Sequence, residues 1–199
     1  MSSTSAPFGF RPSYHNSGQI RPKAYTIAST YNVSIFSGDP VKLIDAGVID
    51  LGTSDGTRNT ASAGINLLGI FAGVEYNDAS GKPTISPFWQ AGTTGTEIVA
   101  YVYDDPETLF DVQYTNPSSA TPKLTVQTAV GEECDWTPSL SGSTRTGLSA
   151  TQLTAIEATS GNFQITGFAH NINDSLTDAY IVATVRINEH QYKAAVNSI

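Results

Sequence analysis

The chain has 199 residues, a net charge of −8, 14% charged residues, 39% hydrophobic residues and one cysteine, Cys134. That apolar content excludes disorder throughout, the acidic balance excludes a general nucleic-acid binder with its basic face, and one cysteine excludes an intramolecular disulfide or a Cys-rich metal site. Few Lys and Glu beside many Thr, Val, Ile and Tyr favour strands over surface helices.

Residues 1–32 read as an extended arm. Pro7, Pro12 and Pro22, with Gly9 and Gly18, break any helix. Phe8, Phe10, Tyr14, Ile20, Tyr25, Ile27 and Tyr31 are too many apolar anchors for a free tail, so the arm is expected to lie in a groove on the body or on a partner. Residues 1–38 carry Arg11, Arg21 and Lys23 and no acid, a charge of +3, against −11 for the remainder. A basic arm on an acidic body is expected to meet an acidic surface, its own or a neighbour's. MSSTSAPFGF lacks the cationic and apolar regions of a secretory signal, and no run of about 18 apolar residues follows, so synthesis and folding in a cytoplasm without membrane contact are expected.

From residue 33 strands follow at short spacing. PVKLI (40–44) and VIDLG (48–52) flank the three-residue loop Asp45-Ala46-Gly47 as a hairpin. TSDGTRNTASAG (53–64) reads as a polar surface loop. LLGIFAGVEY (67–76) is an apolar strand whose Gly69 and Gly73 predict bends or bulges. NDASGKP (77–83) is a turn, and SPFWQAGTTGT (86–96) an irregular loop plugged by Phe88 and Trp89.

EIVAYVYD (97–104) and LFDVQYT (109–115) alternate around Asp105-Pro106-Glu107-Thr108, a type I turn signature, and predict a β-hairpin with an acidic tip. KLTVQTAV (123–130) is a strand candidate within a Pro/Ser/Thr/Gly-rich region. SATQLTAIEA (149–158) opens on a Ser-x-x-Gln pattern that predicts one short helix. NFQITGFA (162–169) and AYIVATVRINEHQY (179–192) are the final strands. The last would extend roughly 46 Å at 3.3 Å per residue, so it is expected to bend and serve two sheets. The fold class predicted is all-β, a barrel or sandwich of short antiparallel strands with an extended N-terminal arm. Its parts are 1–32 as the arm, 33–115 as a barrel-like core, and 116–199 as a second β-rich part sharing strands with it.

No chemistry emerges from the motifs. Asp104 and Asp105 are adjacent and point to opposite faces of a strand, Glu107 falls in the turn, and only Asp111 sits within a strand. A glycosidase pair needs two carboxyls facing across a cleft. NINDSLTD (171–178) lacks the spacing of a calcium loop, although an ion near Asn171–Asp178 stays open. His15, His170 and His190 share no ligand spacing. Cys134 lies between Glu133 and Asp135, the opposite of an activating setting. Catalytic, cofactor and metal residues are therefore not assigned.

FGFRPSYHNSGQIRP (8–22), GDPVKL (38–43), GIFAGVEYNDASGKP (69–83), SPFWQAGT (86–93), AYVYDDPETLFDVQ (100–113) and INEHQY (187–192) together resemble a family of head decoration, or cement, proteins of environmental and marine tailed bacteriophages. The resemblance implies a virion structural protein, made in the host cytoplasm, that binds the outer capsid surface and stabilises the lattice. Its partners would be the major capsid protein and itself, as a homotrimer first and a dimer second. On that reading Phe8, Phe10 and Tyr14 are pocket anchors, while Arg11, Arg21 and Lys23 make charge-assisted contacts to capsid or subunit. Removing residues 1–24 would then leave the body folded but unable to bind heads. Two alternatives stand beside it: a carbohydrate-binding β-sandwich exposing Trp89, Trp136 and tyrosines, and another virion component such as a tail protein.

Overall fold

The computed structural model describes residues 5–58, 64–115, 127–157, 161–169 and 178–193. Its regular structure is almost entirely strand, as the composition requires. The organising element is β10 (Leu109–Thr115), whose full length pairs antiparallel with β14 (Tyr180–Ile187), from Leu109 opposite Arg186 to Thr115 opposite Tyr180. The ladder continues through β13 (Phe163–Phe168), β11 (Glu133–Trp136) and β12 (Leu153–Glu157), and β12 returns in parallel to β10 where Leu153 faces Tyr114. The sheet thus closes on itself as a small barrel. Alternation decides what fills it. Phe110, Val112 and Tyr114 of β10, and Ile181, Ala183, Val185 and Ile187 of β14, are buried, with Cys134, Trp136, Leu153, Phe163 and Ile165 completing the interior. Each large apolar side chain so buried stabilises by about 1.5–3 kcal/mol.

The second sheet runs β2 (Lys23–Tyr25), β9 (Thr96–Tyr103), β6 (Gly69–Asn77), β4 (Pro40–Leu43) and β5 (Ile49–Leu51), with β7 (Pro83–Ser86) on the far half of β6. Two register shifts interrupt the β6–β9 pairing, one of them between Phe71 and Gly73. That bulge lets Phe71 and Val74 share one buried face, which strict alternation would forbid. Gly69 answers a close approach: a Cβ there would collide with the Tyr103 carbonyl. Phe71, Val74, Ala100 and Val102 pack with Val41, Ile49 and Trp89 on the inner side, where β3 (Ile35–Phe36) and β8 (Phe88–Trp89) form a two-stranded cover. Leu51, Leu67 and Ile70 join the barrel's core cluster and so weld the two sheets together.

The β4–β5 hairpin is as expected: Ile44 and Val48 close the loop through a 3.0 Å bond and Gly47 adopts φ 73°. Four expectations need correction. Strands β9 and β10 are not a hairpin, because β2 and β6 flank β9 while β14, β1 (Arg11–Tyr14) and β12 flank β10. The Asp105–Thr108 turn instead carries the chain from one sheet to the other. Leu153–Glu157, read as part of a helix, is β12, since its ladder with β11 overrides a four-residue capping pattern. Of 123–130, residues 123–126 lie outside the described residues, Gln127 is helical, and Thr128–Val130 is a turn in which Val130 N donates to Gln127 O. The last strand ends at Ile187 within one sheet. The residues after it reach the other sheet: His190 bridges Leu67, and the Gln191 amide bonds both the N–H and the C=O of Leu43 at 2.8 Å.

Among the described residues, strands from both halves of the chain share one sheet. Strand β10 belongs to the barrel with the C-terminal half, and the arm contributes β1 to the barrel and β2 to the second sheet.

Candidate functional site: the arm and its seat

The arm is held on its own subunit. Strand β1 pairs antiparallel with the start of β10, Arg11 opposite Asp111 and Tyr14 opposite Leu109, with a register shift between Pro12 and Tyr14. Phe10 is 1% exposed and stacks on Phe163 at 4.2 Å between ring centroids, with 17° between planes. Its backbone N–H donates to Gly38 O at 2.9 Å, and Gly9 N–H donates to Thr151 O at 3.2 Å. Gly9 has φ 74°, and a Cβ on it would meet Ser149 Cβ at 2.7 Å, so chain and seat fit only with glycine there.

Beneath this seat lies a group that the sequence did not announce. Asp39 is fully buried and accepts hydrogen bonds from Phe36 N–H at 2.7 Å and Ser149 Oγ at 2.6 Å, and it pairs with the Arg58 guanidinium. Arg58 also donates to Ser34 O, Pro138 O and Leu140 O and lies over the Phe36 ring at 5.2 Å. Burial pushes the Asp39 carboxyl up, against the opposing pull of Arg58 and its hydrogen bonds. The 53–64 loop, expected on the surface, therefore sends Arg58 inward, and its Thr53 is buried as well. Gly-Asp-Pro at 38–40 was the available signal, because an acid ahead of a buried strand requires a partner.

The four acids of 104–111 do not converge. Asp104 accepts from Tyr25 OH at 2.6 Å and lies 3.4 Å from Lys23 Nζ, while Asp105 lies 3.2 Å from His15 Nε2. Glu107 pairs with Lys193 Nζ at 3.2 Å, and Asp111 accepts from Thr184 Oγ1 at 2.8 Å on the barrel's outer side. Asp105 also builds its own turn, accepting Glu107 N–H at 2.9 Å. The basic arm thus meets an acidic corner of its own chain. Burial, with the bond to Asp104, pushes the Tyr25 phenol well above its ordinary value. Partly exposed pairs of this kind contribute about 0–1 kcal/mol each, against about 3–5 kcal/mol for a buried phenylalanine, so Phe10 and not the charges holds the arm down.

The six residues singled out in the arm separate accordingly. Phe10 is a core side chain of this subunit, a correction to its role as an anchor for another, and Lys23 is engaged with Asp104 and lies over the Tyr25 and Tyr192 rings. Phe8 is half-buried along a cleft of about 310 Å³ with Pro7, Thr146 and Leu148, and the Arg11 guanidinium sits 4.5 Å above its ring. Arg11 and Arg21 are exposed, Tyr14 is 56% exposed, and the outer edge of β1 has no strand beside it among the described residues.

Other candidates resolve by burial. Cys134 is inside the barrel. Trp89 and Trp136 are at most 1% exposed, which removes both as a stacking surface for sugar. His190 is buried, and burial lowers its pKa despite the pull of Asp104. His170 and residues 171–177 lie outside the described residues; among those described, no three His, Cys, Asp or Glu side chains gather as a metal site. No described helix is long and apolar enough to cross a membrane. The chain matches no family model, no curated protein and no solved structure.

Proposed function

We propose that this chain is a virion structural protein that decorates the outside of a tailed-phage capsid and stabilises its lattice. The reading begins from the resemblance in residues 8–22, 38–43, 69–83, 86–93, 100–113 and 187–192. The observation that carries it further is the arrangement of β1. Phe10 locks the strand into the barrel, and Phe8, Arg11 and Tyr14 remain on its accessible side beside an open strand edge. A fixed strand presenting an aromatic side chain, a cation stacked on a ring and free backbone groups is suited to a neighbouring capsomer. Binding only the assembled lattice shifts assembly toward it.

The structure changes how this is tested. Phe10 and both arm strands are part of the fold, so truncation at residue 24 is not a clean probe, contrary to the expectation that the body would survive it. The variants Arg11→Glu and Tyr14→Ala change largely exposed side chains, the first also removing the stack of Arg11 on Phe8. Sedimentation with phage heads assembled without this chain should show saturable binding by the parent protein and at least about tenfold weaker binding by either variant. Equal binding by both would remove β1 from the contact, and absence of binding by the parent would reject the decoration reading. An exposed row of rings for sugar would have favoured the carbohydrate alternative, and its two tryptophans are inside.

A further inference from the structure

The register shift in β1 decides what the outer face of the barrel presents. Arg11 and Tyr14 are three residues apart, and strict alternation would send them to opposite faces. The shift between Pro12 and Tyr14 instead sets Arg11 opposite Asp111 and Tyr14 opposite Leu109, two residues that share one face of β10. Phe110 and Val112 fill the interior, so the shared face is the outer one, and Arg11 and Tyr14 are both exposed on it. Bulges at sheet edges re-aim side chains in this way. The ladder carries the same face onward. Leu109 is opposite Arg186 of β14, and Arg186 is opposite Gln164 of β13. Arg186 stands between the buried Val185 and Ile187 and so points outward. Tyr14, Leu109 and Arg186 thus form one row across three strands, with Arg11 in the next row. Strand spacing and rise put the Arg11 and Arg186 backbones roughly 12 Å apart.

Neither arginine is neutralised within the chain. Asp111 is the cross-strand neighbour of Arg11, yet its carboxylate accepts from Thr184 Oγ1 at 2.8 Å, and the Arg11 guanidinium lies over the Phe8 ring instead. Arg186 Nε donates to Gln164 Oε1 at 2.9 Å, which fixes the guanidinium and leaves its two Nη groups without a hydrogen bond among the described residues. Neither side chain has an ion pair among those residues. The next acid along the Arg186 row, Glu133, is already held by Gly161 N–H and Asn188 Nδ2. Two fixed guanidiniums with open donor edges match carboxylates, which each can take through two parallel hydrogen bonds. Tyr14 and Leu109 between them supply an apolar centre, and Tyr and Arg are the side chains that carry most contact energy at interfaces.

We infer that this outer barrel face docks an acidic segment of the neighbouring capsid protein, with one carboxylate on Arg11, another on Arg186, and Tyr14 and Leu109 packed between them. The inference rests on the decoration reading above. It adds to that reading the chemistry of the partner and a contact residue, Arg186, that lies 175 positions beyond Arg11 in the chain.

Sedimentation with heads assembled without this chain tests it. Arg186→Glu should bind at least about tenfold more weakly than the parent, with an unchanged circular dichroism spectrum. Arg186→Gln, which keeps a donor for Gln164 and loses the charge, should also bind more weakly. Lys82→Glu makes the same charge change at an exposed position before β7 and should bind as the parent does. Converting the carboxylates on the head surface to amides, with a carbodiimide and ethanolamine, should abolish binding by the parent. Raising NaCl from about 50 to about 500 mM should weaken binding to untreated heads by more than about tenfold. A parent that binds amidated and untreated heads equally would overturn the acidic partner while leaving decoration standing. Equal binding by the parent and both Arg186 variants would remove this face from the contact. A parent that binds no untreated heads would reject the decoration reading and this inference with it.

Discussion

Phe10 of the arm lies nearly flat against Phe163 of the barrel, centroids 4.2 Å apart, and both side chains are buried. The arm is therefore part of the core through one ring. Phe10→Ala should cost about 3–5 kcal/mol, which for a chain of this size lowers the melting temperature by roughly 10 °C. Phe8→Ala, at a half-buried position, should cost less than about 1 kcal/mol. Thermal unfolding followed by circular dichroism separates them; equal effects would mean that the ring stack does not hold the arm.

The Asp39–Arg58 pair gives a second, sharper expectation. Asp39→Ala leaves a guanidinium buried without its partner and should cost about 3–5 kcal/mol. Adding Arg58→Met removes the stranded charge, so the double variant should be more stable than the sum of the single losses. Urea denaturation of the four proteins measures the difference. Strict additivity would show the two side chains acting separately.

His190 predicts a pH dependence. Burial holds its folded pKa below the ordinary 6.5, whereas the unfolded chain titrates at that value. As pH falls through about 6.5 the unfolded chain takes up a proton that the folded chain refuses, so stability declines on acidification, by at most about 1.4 kcal/mol per pH unit. His190→Gln should remove that part of the slope between about pH 7 and 5.5. Parallel stability curves for the two proteins would contradict the assignment.

The acidic corner should matter little. Replacing Asp104 and Asp105 by Asn and Glu107 by Gln removes three partly exposed pairs worth about 0–1 kcal/mol each. Urea unfolding should shift modestly and head binding should persist. Complete loss of binding with the fold intact would make the corner an interface.

Much of this architecture could be read from the chain because it is written locally. Gly47 and the flanking apolar runs specify the β4–β5 hairpin, and the apolar runs of 97–104, 162–169 and 179–192 mark the strands β9, β13 and β14. What failed was non-local. The Asp-Pro-Glu-Thr turn forms as its residues require, yet a turn does not choose which strand edges pair, and β10 finds its partner far along the chain, Leu109 opposite Arg186 in β14. The Ser-x-x-Gln pattern at 149–152 lost to sheet pairing for the same reason. For the site, the arm's anchors and cations were visible, but which of them face inward depends on the barrel. Only the folded chain separates Phe10 from Phe8 and Tyr14. Arg58 was hidden because its loop is polar throughout and its acid lies nineteen residues away.

The most direct measurement is the binding of parent, Arg11→Glu and Tyr14→Ala proteins to heads assembled without this chain, beside their melting curves. The account predicts saturable binding by the parent to the outer surface, at least about tenfold weaker binding by both variants, and unchanged melting. A parent protein that does not bind such heads would contradict it.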